Sequence, residues 1–442
     1  MLRYAIAGTG HRAGLYVDAL LGPHRDDGAI AAWIEPNPVR AAAYEAKAQA
    51  AVGGTRPRYD PADLERALAE QRVDRLIVTS VDRTHADLVT RALRAGVDVV
   101  VEKPIAAHPE QARAIADAVR ETGRDVVLTF NYRYSPRNAA LRQVIAAGEI
   151  GRVRSVHFEW ALDTRHGADY FRRWHRDKAN NGGLLVHKSS HHFDLVNWWI
   201  GGVPERVFAS GGTKFYGDAA GHAQGYRPSA REDELRAQGV DPWALDVDGD
   251  PWLGALYGPA ARAADGYVRN LSVFAPGVTT EDTLALVVDF RGGAVMTYSL
   301  VAYAPWEGYR VTVTGTEGRA ELAVVERGSV DVDAAGRSVL DASSTAVDIP
   351  DAVRPKSEQL VVQRHWERAE LRPIAVEAGG HGGGDAKLLA AVFRPAAEPD
   401  PLGRGAALID GLRASGVGYA ANLSLATGLP VRLADLALGV TL

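Results

Sequence analysis

The chain has 442 residues, 46% hydrophobic and 24% charged, and its formal net charge at pH 7 is -5. A single hydrophobic core stops growing at roughly 250–300 residues, so this length predicts two domains. The sequence contains no cysteine, which excludes disulfides, thiolate catalysis and cysteine-ligated metal sites. The slightly acidic balance gives no reason to expect nucleic acid or an anionic membrane as a partner.

The first eight residues predict a strand that enters a turn, and they lack the charged and then apolar pattern of a secretory signal. No stretch reaches the roughly 20 apolar residues that span a bilayer. We therefore expect a cytoplasmic protein without a membrane partner.

Short apolar runs and amphipathic helices alternate along the first 130 residues. This order predicts an α/β domain whose parallel sheet has right-handed crossovers. The predicted strands are 2–7, 29–34, 74–79, 97–101 and 125–129, and the predicted helices are 12–21, 38–51, 61–70, 83–95 and 108–122.

The turn after the first strand has the G-x-G-x-x-A form of a dinucleotide-binding fingerprint. Gly8 permits the tight turn, Gly10 lets the backbone approach a pyrophosphate, and the following helix attracts the phosphates. The residues of this turn are Gly8, Thr9, Gly10, His11, Arg12 and Ala13. Glu35 ends the second predicted strand, where a carboxylate binds ribose hydroxyls and repels a 2′-phosphate, so NAD is favoured over NADP. Arg40, one turn later, could still accommodate a phosphate.

Glu102-Lys103-Pro104 follows the buried run 97–101. A lysine at the carboxyl end of a parallel strand lies at the edge where open α/β sheets bind their ligands. We expect Glu102 to line the cofactor site and Lys103 to act on the bound substrate.

These segments, in this order, resemble the Gfo/Idh/MocA superfamily of glucose-fructose oxidoreductase and inositol dehydrogenase relatives. Residues 79–85 resemble its T-P-x-x-x-H segment, with Ser80 in place of proline, and residues 131–136 resemble its N-x-R-x-x-P element. The resemblance implies cofactor contacts from Thr79, Ser80, His85, Glu102, Lys103 and Asn131. It implies substrate contacts from Arg133 and Tyr134.

The resemblance also implies the domain organisation. We expect a Rossmann NAD-binding domain at 1–130 and an α+β domain at 131–442 with a large open, mostly antiparallel sheet. Runs at 153–160, 283–290, 294–301, 309–314 and 319–325 alternate as such strands do. The family packs the free face of this sheet against another subunit, which implies a homo-oligomer, either a dimer or a tetramer.

Two further segments of the second domain are notable. The helix 405–427 resembles the closing helix of the family. Residues 217–276 show little periodicity, and so long a stretch within a domain is often functional. We interpret it as an insertion near the substrate cleft, either a lid or a surface loop for oligomer contacts.

Residues 182–201 predict a helix that carries His187, His191, Asp194 and Trp198 on one face. Relatives share the pattern G-G-x-L-x-D-x-x-x-H-x-x-D, so the resemblance assigns His191 as the catalytic histidine, while His187 replaces the upstream aspartate. A histidine titrates near neutrality and suits a general base. His187 and His191 also have zinc-helix spacing, but Lys188 follows His187, so we expect no metal. His192 is expected to be structural.

Upstream of that helix, residues 165–176 are rich in aromatic and cationic side chains, which could line a sugar pocket or form a solvated basic helix. The candidate substrate-binding residues here and on the helix are Arg165, His166, Trp174, His175, His187, Lys188 and His191. A glycine loop at 381–385 that includes His381 is a further candidate.

The sequence thus predicts an NAD-dependent oxidoreductase that transfers hydride at a ring hydroxyl of a sugar, a sugar derivative or a cyclitol. The catalytic residues would be Lys103, His191 and His187. Two alternatives remain open. One is a redox-neutral glycoside hydrolase that oxidises the ring transiently, and the other is a non-catalytic protein that senses sugar or NAD.

Overall fold

The computed structural model describes residues 1–225, 243, 245–330, 352–375, 383–395 and 400–442. In the first 130 residues, strands and helices alternate as predicted, with boundaries shifted by at most three residues, and only the two-residue strand β3 was not predicted. The strands are β1 Leu2–Ala7, β2 Gly28–Ile34, β3 Arg58–Tyr59, β4 Arg75–Val78, β5 Asp98–Val101 and β6 Val126–Leu128. The helices are α1 Ala13–Leu21, α2 Pro38–Val52, α3 Leu64–Glu70, α4 His85–Arg94 and α5 Pro109–Thr122.

Local sequence explains why these helices begin and end where they do. Asn37 caps α2, because its side chain accepts hydrogen bonds from the backbone N–H groups of Val39 and Arg40. Helix α5 begins with Pro109 and ends at Gly123, whose left-handed backbone has φ 65°. The β-branched run of β5 is buried on both sides, as a central parallel strand requires.

The remaining elements follow along the rest of the chain, and most of them build a second, larger sheet with its helices. The strands are β7 Val153–Asp163, β8 Pro204–Gly212, β9 Thr283–Phe290, β10 Val295–Ala304, β11 Glu307–Gly315, β12 Gly318–Arg327, β13 Ser357–Arg364, β14 Glu370–Arg372, β15 Ala406–Ala407 and β16 Val431–Arg432. The helices are α6 Pro136–Ala146, α7 His166–Arg172, α8 Leu184–His187, α9 Ser189–Ile200, α10 Asp218–Ala223, α11 Pro251–Tyr257, α12 Pro259–Asp265, α13 Gly384–Phe393 and α14 Leu408–Thr427.

The first sheet has the strand order β15-β6-β5-β4-β1-β2-β3. Strands β1 to β6 are parallel, which confirms the predicted Rossmann arrangement. Strand β15 comes from the second half of the chain and joins the edge antiparallel to β6. No sequence pattern indicated this pairing, because two residues are too few for a periodic pattern.

The second sheet has the order β14-β13-β12-β11-β7-β10-β9-β8-β16 and is antiparallel except where β10 pairs parallel with β7. This confirms the predicted large open, mostly antiparallel sheet. Strand β9 shows why one face is covered: Leu284, Leu286 and Val288 are buried, whereas Val287, on the other face, is 40% exposed. Helices α9 and α14 pack together, and α14 lies on β8.

The described part of the insertion 217–276 contains helices α10, α11 and α12, so it is more regular than the sequence suggested. Helices α11 and α12 pack against α2 of the first domain. Leu253 and Leu256 enter the same apolar cluster as Tyr4 and Val17. The insertion therefore leaves the second domain and covers the dinucleotide-binding domain.

Within the part of the chain that the structure describes, no helix combines the length and apolar character needed to cross a membrane.

Candidate active site

A cleft of about 1410 Å³ lies between the two domains. The first domain contributes the glycine turn and the ends of β2, β4 and β5. The second domain contributes the aromatic and charged segment near α7, helices α8 and α9, the insertion, and strands β7, β11 and β12. The cleft therefore brings the cofactor motif and the candidate catalytic residues into one space.

The glycine turn is shaped by the end of β4. Gly8 has φ 87°, and a Cβ added there would lie 2.6 Å from the Cα of Ser80. The hydroxyl of Thr79 donates a hydrogen bond of 2.6 Å to the Gly8 carbonyl. Only glycine fits at this position. Because it has no side chain, the backbone can approach a ligand as closely as a pyrophosphate site at a helix N-terminus requires.

The insertion also contacts this glycine turn. The backbone N–H of His11 donates to the Tyr257 hydroxyl at 2.8 Å, and the hydroxyl of Tyr44 donates to the Gly10 carbonyl at 2.8 Å. Trp252 packs edge-on against Tyr44, with ring centroids 5.0 Å apart. Gly8, Gly10 and Tyr257 thus line one side of the cleft, and the buried Tyr44 supports the turn from within the domain.

Glu35 lies at the end of β2, as predicted for a ribose-binding carboxylate. It accepts hydrogen bonds from the backbone N–H groups of Thr9, at 2.7 Å, and Asn37, at 2.9 Å. The Arg40 guanidinium lies 3.3 Å from Glu35 and forms an ion pair with Asp265 of the insertion. Two carboxylates therefore flank Arg40 at this end of the cleft, an arrangement that suits ribose hydroxyls better than a 2′-phosphate.

Glu102 anchors the catalytic edge of the sheet. Its carboxylate accepts hydrogen bonds from Arg12 Nε at 2.6 Å and from the Tyr16 hydroxyl at 2.8 Å. Burial would raise the pKa of Glu102, but Arg12 and Lys103 outweigh it and hold the pKa below its usual value. The Glu102 carboxylate is therefore charged and fixes α1 against the end of β5. The Lys103–Pro104 peptide bond is cis.

Lys103 points from this edge towards the second domain. Its Nζ lies 2.9 Å from Nε2 of His187, and Nδ1 of His187 lies 2.5 Å from the Asp82 carboxylate. Burial lowers the pKa of Lys103 to about 8. Burial and then the nearby Lys103 hold the pKa of His187 well below its usual value. A fraction of Lys103 is thus an amine near neutral pH, and this fraction grows as pH rises towards 8, whereas His187 is neutral.

His191 lies beside this pair on the cleft wall, where it stacks on Tyr132 with ring centroids 4.6 Å apart. The predicted single helix is interrupted at Lys188, between α8 and α9. His192 is fully buried and stacks on Trp160 at 4.0 Å, in line with its expected structural position.

The wall that the second domain contributes is aromatic and charged. Lys188 lies 4.9 Å from the centre of the Trp160 ring, and its Nζ donates to the Tyr132 hydroxyl at 3.2 Å. His166 Nδ1 contacts Glu307 at 2.6 Å, and Arg327 contacts Glu307 at 3.2 Å. Burial would raise the pKa of Glu307, but His166 and then Arg327 outweigh it and lower the pKa to about 2.

Trp174 and His175 continue this wall, with stacked rings whose centroids are 3.4 Å apart. Both line the cleft. Burial lowers the pKa of His175 well below its usual value, so His175 is a neutral polar group.

Three predicted substrate-binding residues do not line the cleft, and for these the structure corrects the prediction. The Arg133 guanidinium is buried against the Asp194 carboxylate, with contacts of 2.8 and 2.5 Å. Tyr134 packs in the cluster beneath the cofactor turn, and Arg165 is buried beside Asp163. A charged or phenolic side chain near a motif can either pack inside the protein or bind the substrate, and the sequence does not distinguish these two roles.

Several predicted cofactor residues support the site from behind and do not line the cleft. Thr9 binds Glu35, and Ala13 packs in the core of the domain. His85 bridges the carbonyl oxygens of Pro104 and Ser80, at 2.9 and 3.2 Å. Predicted cofactor or catalytic residues that do line the cleft are Gly8, Gly10, His11, Arg12, Glu35, Thr79, Ser80, Glu102, Lys103, Asn131, His187 and His191.

Asp194 and Trp198, predicted on the catalytic face, also lie away from the cleft. The Trp198 indole donates to the Leu402 carbonyl at 2.8 Å. Burial raises the pKa of Asp194 to about 6 even though Arg133 opposes this shift. His381 lies outside the described residues. Asp385, at the start of α13, accepts a hydrogen bond from Asn131 at 2.7 Å.

The cleft residues that sequence reasoning missed include Asp82, Trp160, Tyr257, Glu307 and Arg327. Asp82 could have been noticed, because it lies inside the segment 79–85. The others are far from any motif. Among the described residues, no group of three or more histidine or acidic side chains is arranged to hold a metal ion.

Comparison with known proteins agrees with this geometry. Residues 2–130 match the NAD-binding Rossmann fold of the GFO_IDH_MocA oxidoreductase family, and residues 142–337 match its C-terminal alpha/beta domain. YteT of Bacillus subtilis (strain 168), named as an oxidoreductase, is 32% identical over 363 residues, which cover 79% of this chain and 78% of YteT. The chain belongs to the Gfo/Idh/MocA oxidoreductase family.

Other members of the family are more distant. The inositol 2-dehydrogenase of Rhizobium meliloti (strain 1021) is 28% identical over 221 residues, which cover 49% of this chain and 62% of that enzyme. The WlbA dehydrogenase of Bordetella pertussis, solved with NADH and UDP-GlcNAcA, superposes with a TM-score of 0.61 at 18% identity and 98% coverage of both chains. That likeness shows the shared fold. The first domain is thus the NAD-binding Rossmann domain of an oxidoreductase.

Proposed function

We propose that this protein is an NAD-dependent oxidoreductase that acts at a ring hydroxyl of a sugar, a sugar derivative or a cyclitol. One observation carries the proposal: Lys103, His187 and His191 line the same cleft as the Gly8–Gly10 turn. Relatives named inositol 2-dehydrogenase and levoglucosan dehydrogenase, at 28% and 27% identity, support a polyhydroxylated substrate.

The cofactor fits the residues present. The Gly8 turn leaves no room for a side chain, Glu35 lies at the ribose end, and the N-terminus of α1 opens on the cleft. When bound, the nicotinamide would supply the hydride acceptor. The Lys103 amine would hold the substrate hydroxyl and take its proton, and His191 would orient the same hydroxyl.

The aromatic and charged wall would bind the rest of the substrate. Trp174 offers a flat apolar face for a ring, and His166 and Lys188 offer hydrogen bonds to its hydroxyls. Trp160 is 1% exposed and stacks on His192 and Tyr309, so it supports Lys188 from within the protein. Glu307 is charged at neutral pH because its pKa is about 2, so it keeps His166 oriented. Such a wall is typical of sites that bind a polar ring through a few placed groups.

We also propose a homo-oligomer that forms through the open face of the second sheet. Phe208, Val287 and Val295 on this sheet are 44%, 40% and 38% exposed. A second copy would cover these apolar side chains. Light scattering should give a mass above the 47.3 kDa monomer, and Phe208→Glu should shift it towards the monomer. A wild-type protein that is monomeric would disprove this arrangement.

The function is tested by supplying NAD with myo-inositol, free sugars and nitrophenyl glycosides, while NADH absorbance and nitrophenol release are recorded together. NADH in proportion to oxidised substrate supports the proposed dehydrogenase. Nitrophenol release without net NADH would replace it with the redox-neutral glycosidase. NAD binding without turnover of any compound would favour the sensing protein.

The site is tested by Lys103→Ala and His191→Ala. Each should lower kcat by about 100-fold or more, since general base catalysis contributes this much, with NAD affinity retained. Lys214→Ala and His365→Ala are matched controls on exposed residues. Near-normal turnover in both cleft variants would refute the assignment.

A further inference from the structure

Asp82 is a buried carboxylate at the cleft that the dehydrogenase mechanism above does not use. It begins the short turn Asp82–Thr84 after β4 and is 2% exposed. Its Oδ2 lies 2.5 Å from Nδ1 of His187, across 105 residues of sequence. Nε2 of the same ring lies 2.9 Å from the Lys103 amine. The three side chains form one continuous hydrogen-bonded chain from the cleft wall to a buried acid.

The two ring nitrogens of His187 determine where a proton can lie in this hydrogen-bonded chain of three side chains. A charged Lys103 can only donate, so Nε2 of His187 must then accept, and Nδ1 carries the proton that Asp82 accepts. A neutral Lys103 amine can also accept from Nε2. In that case Nδ1 has no proton and Asp82 donates to it. The chain can therefore hold one added proton either on Lys103 or on Asp82, and the two states differ in the tautomer of His187.

We propose that Asp82 is the final acceptor of the proton that Lys103 removes from the substrate, and that His187 passes this proton on. This inference rests on the proposed function. The hydride, with both electrons of the C–H bond, goes from the carbinol carbon to C4 of the nicotinamide of NAD. The O–H bond breaks, the C=O bond forms, and the hydroxyl proton moves to the Lys103 amine.

From Lys103 the proton moves to Nε2 of His187 while the Nδ1 proton moves to Asp82. Lys103 returns to its amine form, and the protein holds one extra proton, which it gives to solvent after the product leaves. His187 carries a single proton before and after the transfer, so no imidazolium has to form in the buried site.

The surroundings bring the proton affinities of Asp82 and Lys103 closer together. Burial is the first cause that raises the pKa of Asp82 well above its usual value, while Lys103 and Arg173 oppose the shift. Burial lowers the pKa of Lys103 to about 8, opposed by Asp82 and Glu102. Both pKa shifts reduce the difference in proton affinity between Lys103 and Asp82, the two ends of the hydrogen-bonded chain. The other charged or titratable groups that face these three side chains are Arg12, His85, Tyr170, His175, Lys188 and Tyr419.

The relay accounts for a departure in the sequence. The family pattern has an aspartate where this chain has His187, so the acid that would lie beside Lys103 is missing. The structure places an acid on the far side of the histidine ring instead. The carboxylate is thus retained at a greater distance, and the imidazole connects it to Lys103.

The test compares wild type with Asp82→Asn. The asparagine oxygen can accept from Nδ1 of His187 and keep the ring in place, but the amide cannot take up a proton. We expect kcat on the substrate identified by the panel to fall about 100-fold, with KM and the Kd for NADH within about twofold. More than one transferred proton should contribute to the solvent isotope effect on kcat in wild type, and a single proton should contribute in the variant. Asp26→Asn, on an exposed residue, is the charge-matched control.

Two further measurements guard against misfolding and against failure of the proposed function. His187→Gln should lower kcat by a similar factor, and the double variant should be no worse, because both changes interrupt one relay. Independently of turnover, the ring ¹⁵N shifts of His187 with NADH bound should change between pH 9 and pH 7 in wild type and stay those of the Nδ1–H tautomer in Asp82→Asn.

An Asp82→Asn enzyme with kcat and pH dependence within twofold of wild type would overturn the relay while the dehydrogenase function stands. Identical His187 shifts in both proteins across this pH range would overturn it even if no panel compound is oxidised.

Discussion

The hydroxyl of Tyr257 accepts a hydrogen bond from the backbone N–H of His11, although 246 residues separate them. Through this contact, the insertion of the second domain touches the helix N-terminus at the cofactor turn. Asn37 donates to the Ala261 carbonyl at 2.9 Å, and Arg40 pairs with Asp265, so the insertion is fixed along the whole dinucleotide-binding edge. We expect this covering segment to slow the exchange of NAD.

Trp252→Ala tests whether the insertion retains the cofactor. Trp252 packs on Tyr44, and Lys47 lies 5.0 Å from its ring centre, so its loss should loosen the insertion. Release of NADH, followed by stopped-flow fluorescence, should become about tenfold faster, which corresponds to roughly 1.4 kcal/mol. Trp366→Ala is the matched control, because that side chain is fully exposed. An unchanged release rate in Trp252→Ala would show that the insertion does not limit exchange.

Asp265→Asn tests cofactor selectivity. Asp265 and Glu35 both contact Arg40. Neutralising Asp265 removes a charge that repels a 2′-phosphate and releases Arg40 to pair with it. The ratio of Kd for NADPH to Kd for NADH, from fluorescence titration, should fall about tenfold. Asp248→Asn makes the same charge change at an exposed position of the insertion, and an equal effect there would point to net charge alone.

The pH dependence of oxidation should follow Lys103. Its pKa is lowered to about 8, so the amine that accepts the proton becomes more populated as pH rises towards 8. We expect kcat/KM for oxidation to rise about tenfold per pH unit below pH 7 and to level off above pH 8 to 9. Reduction of the ketone product needs the proton and should show the opposite trend. A flat profile from pH 6 to 9 would contradict a proton-accepting role for Lys103.

Asp194→Asn tests the corrected role of Arg133. Both side chains are at most 3% exposed, and removing one partner of a buried ion pair costs about 3–5 kcal/mol. Asp410 also contacts Arg133, at 3.1 Å, so we expect about 3 kcal/mol of lost stability in urea unfolding. Asp289→Asn breaks the exposed pair with Arg206 and should cost less than about 1 kcal/mol. Unchanged stability with a raised substrate KM would restore Arg133 to the substrate site.

Much of the site was accessible from sequence because its parts are short and continuous. Gly8, Glu35 and Lys103 each follow a strand, and in a parallel sheet the carboxyl ends of the strands share one edge. Their meeting at the cleft follows from the order of elements alone. The expectation that His187 and His191 act together with Lys103 came only from the family resemblance.

The Rossmann domain, the antiparallel sheet, the cofactor turn and the lysine at the end of β5 could thus be predicted from the chain, since each depends on local periodicity or on a short motif. Three contacts became visible only in the folded protein: His187 meets Asp82, Tyr257 meets His11, and Arg133 turns inward to Asp194. Those pairings span 105, 246 and 61 residues. They depend on how side chains orient after the domains pack, and no local pattern in the chain records that orientation.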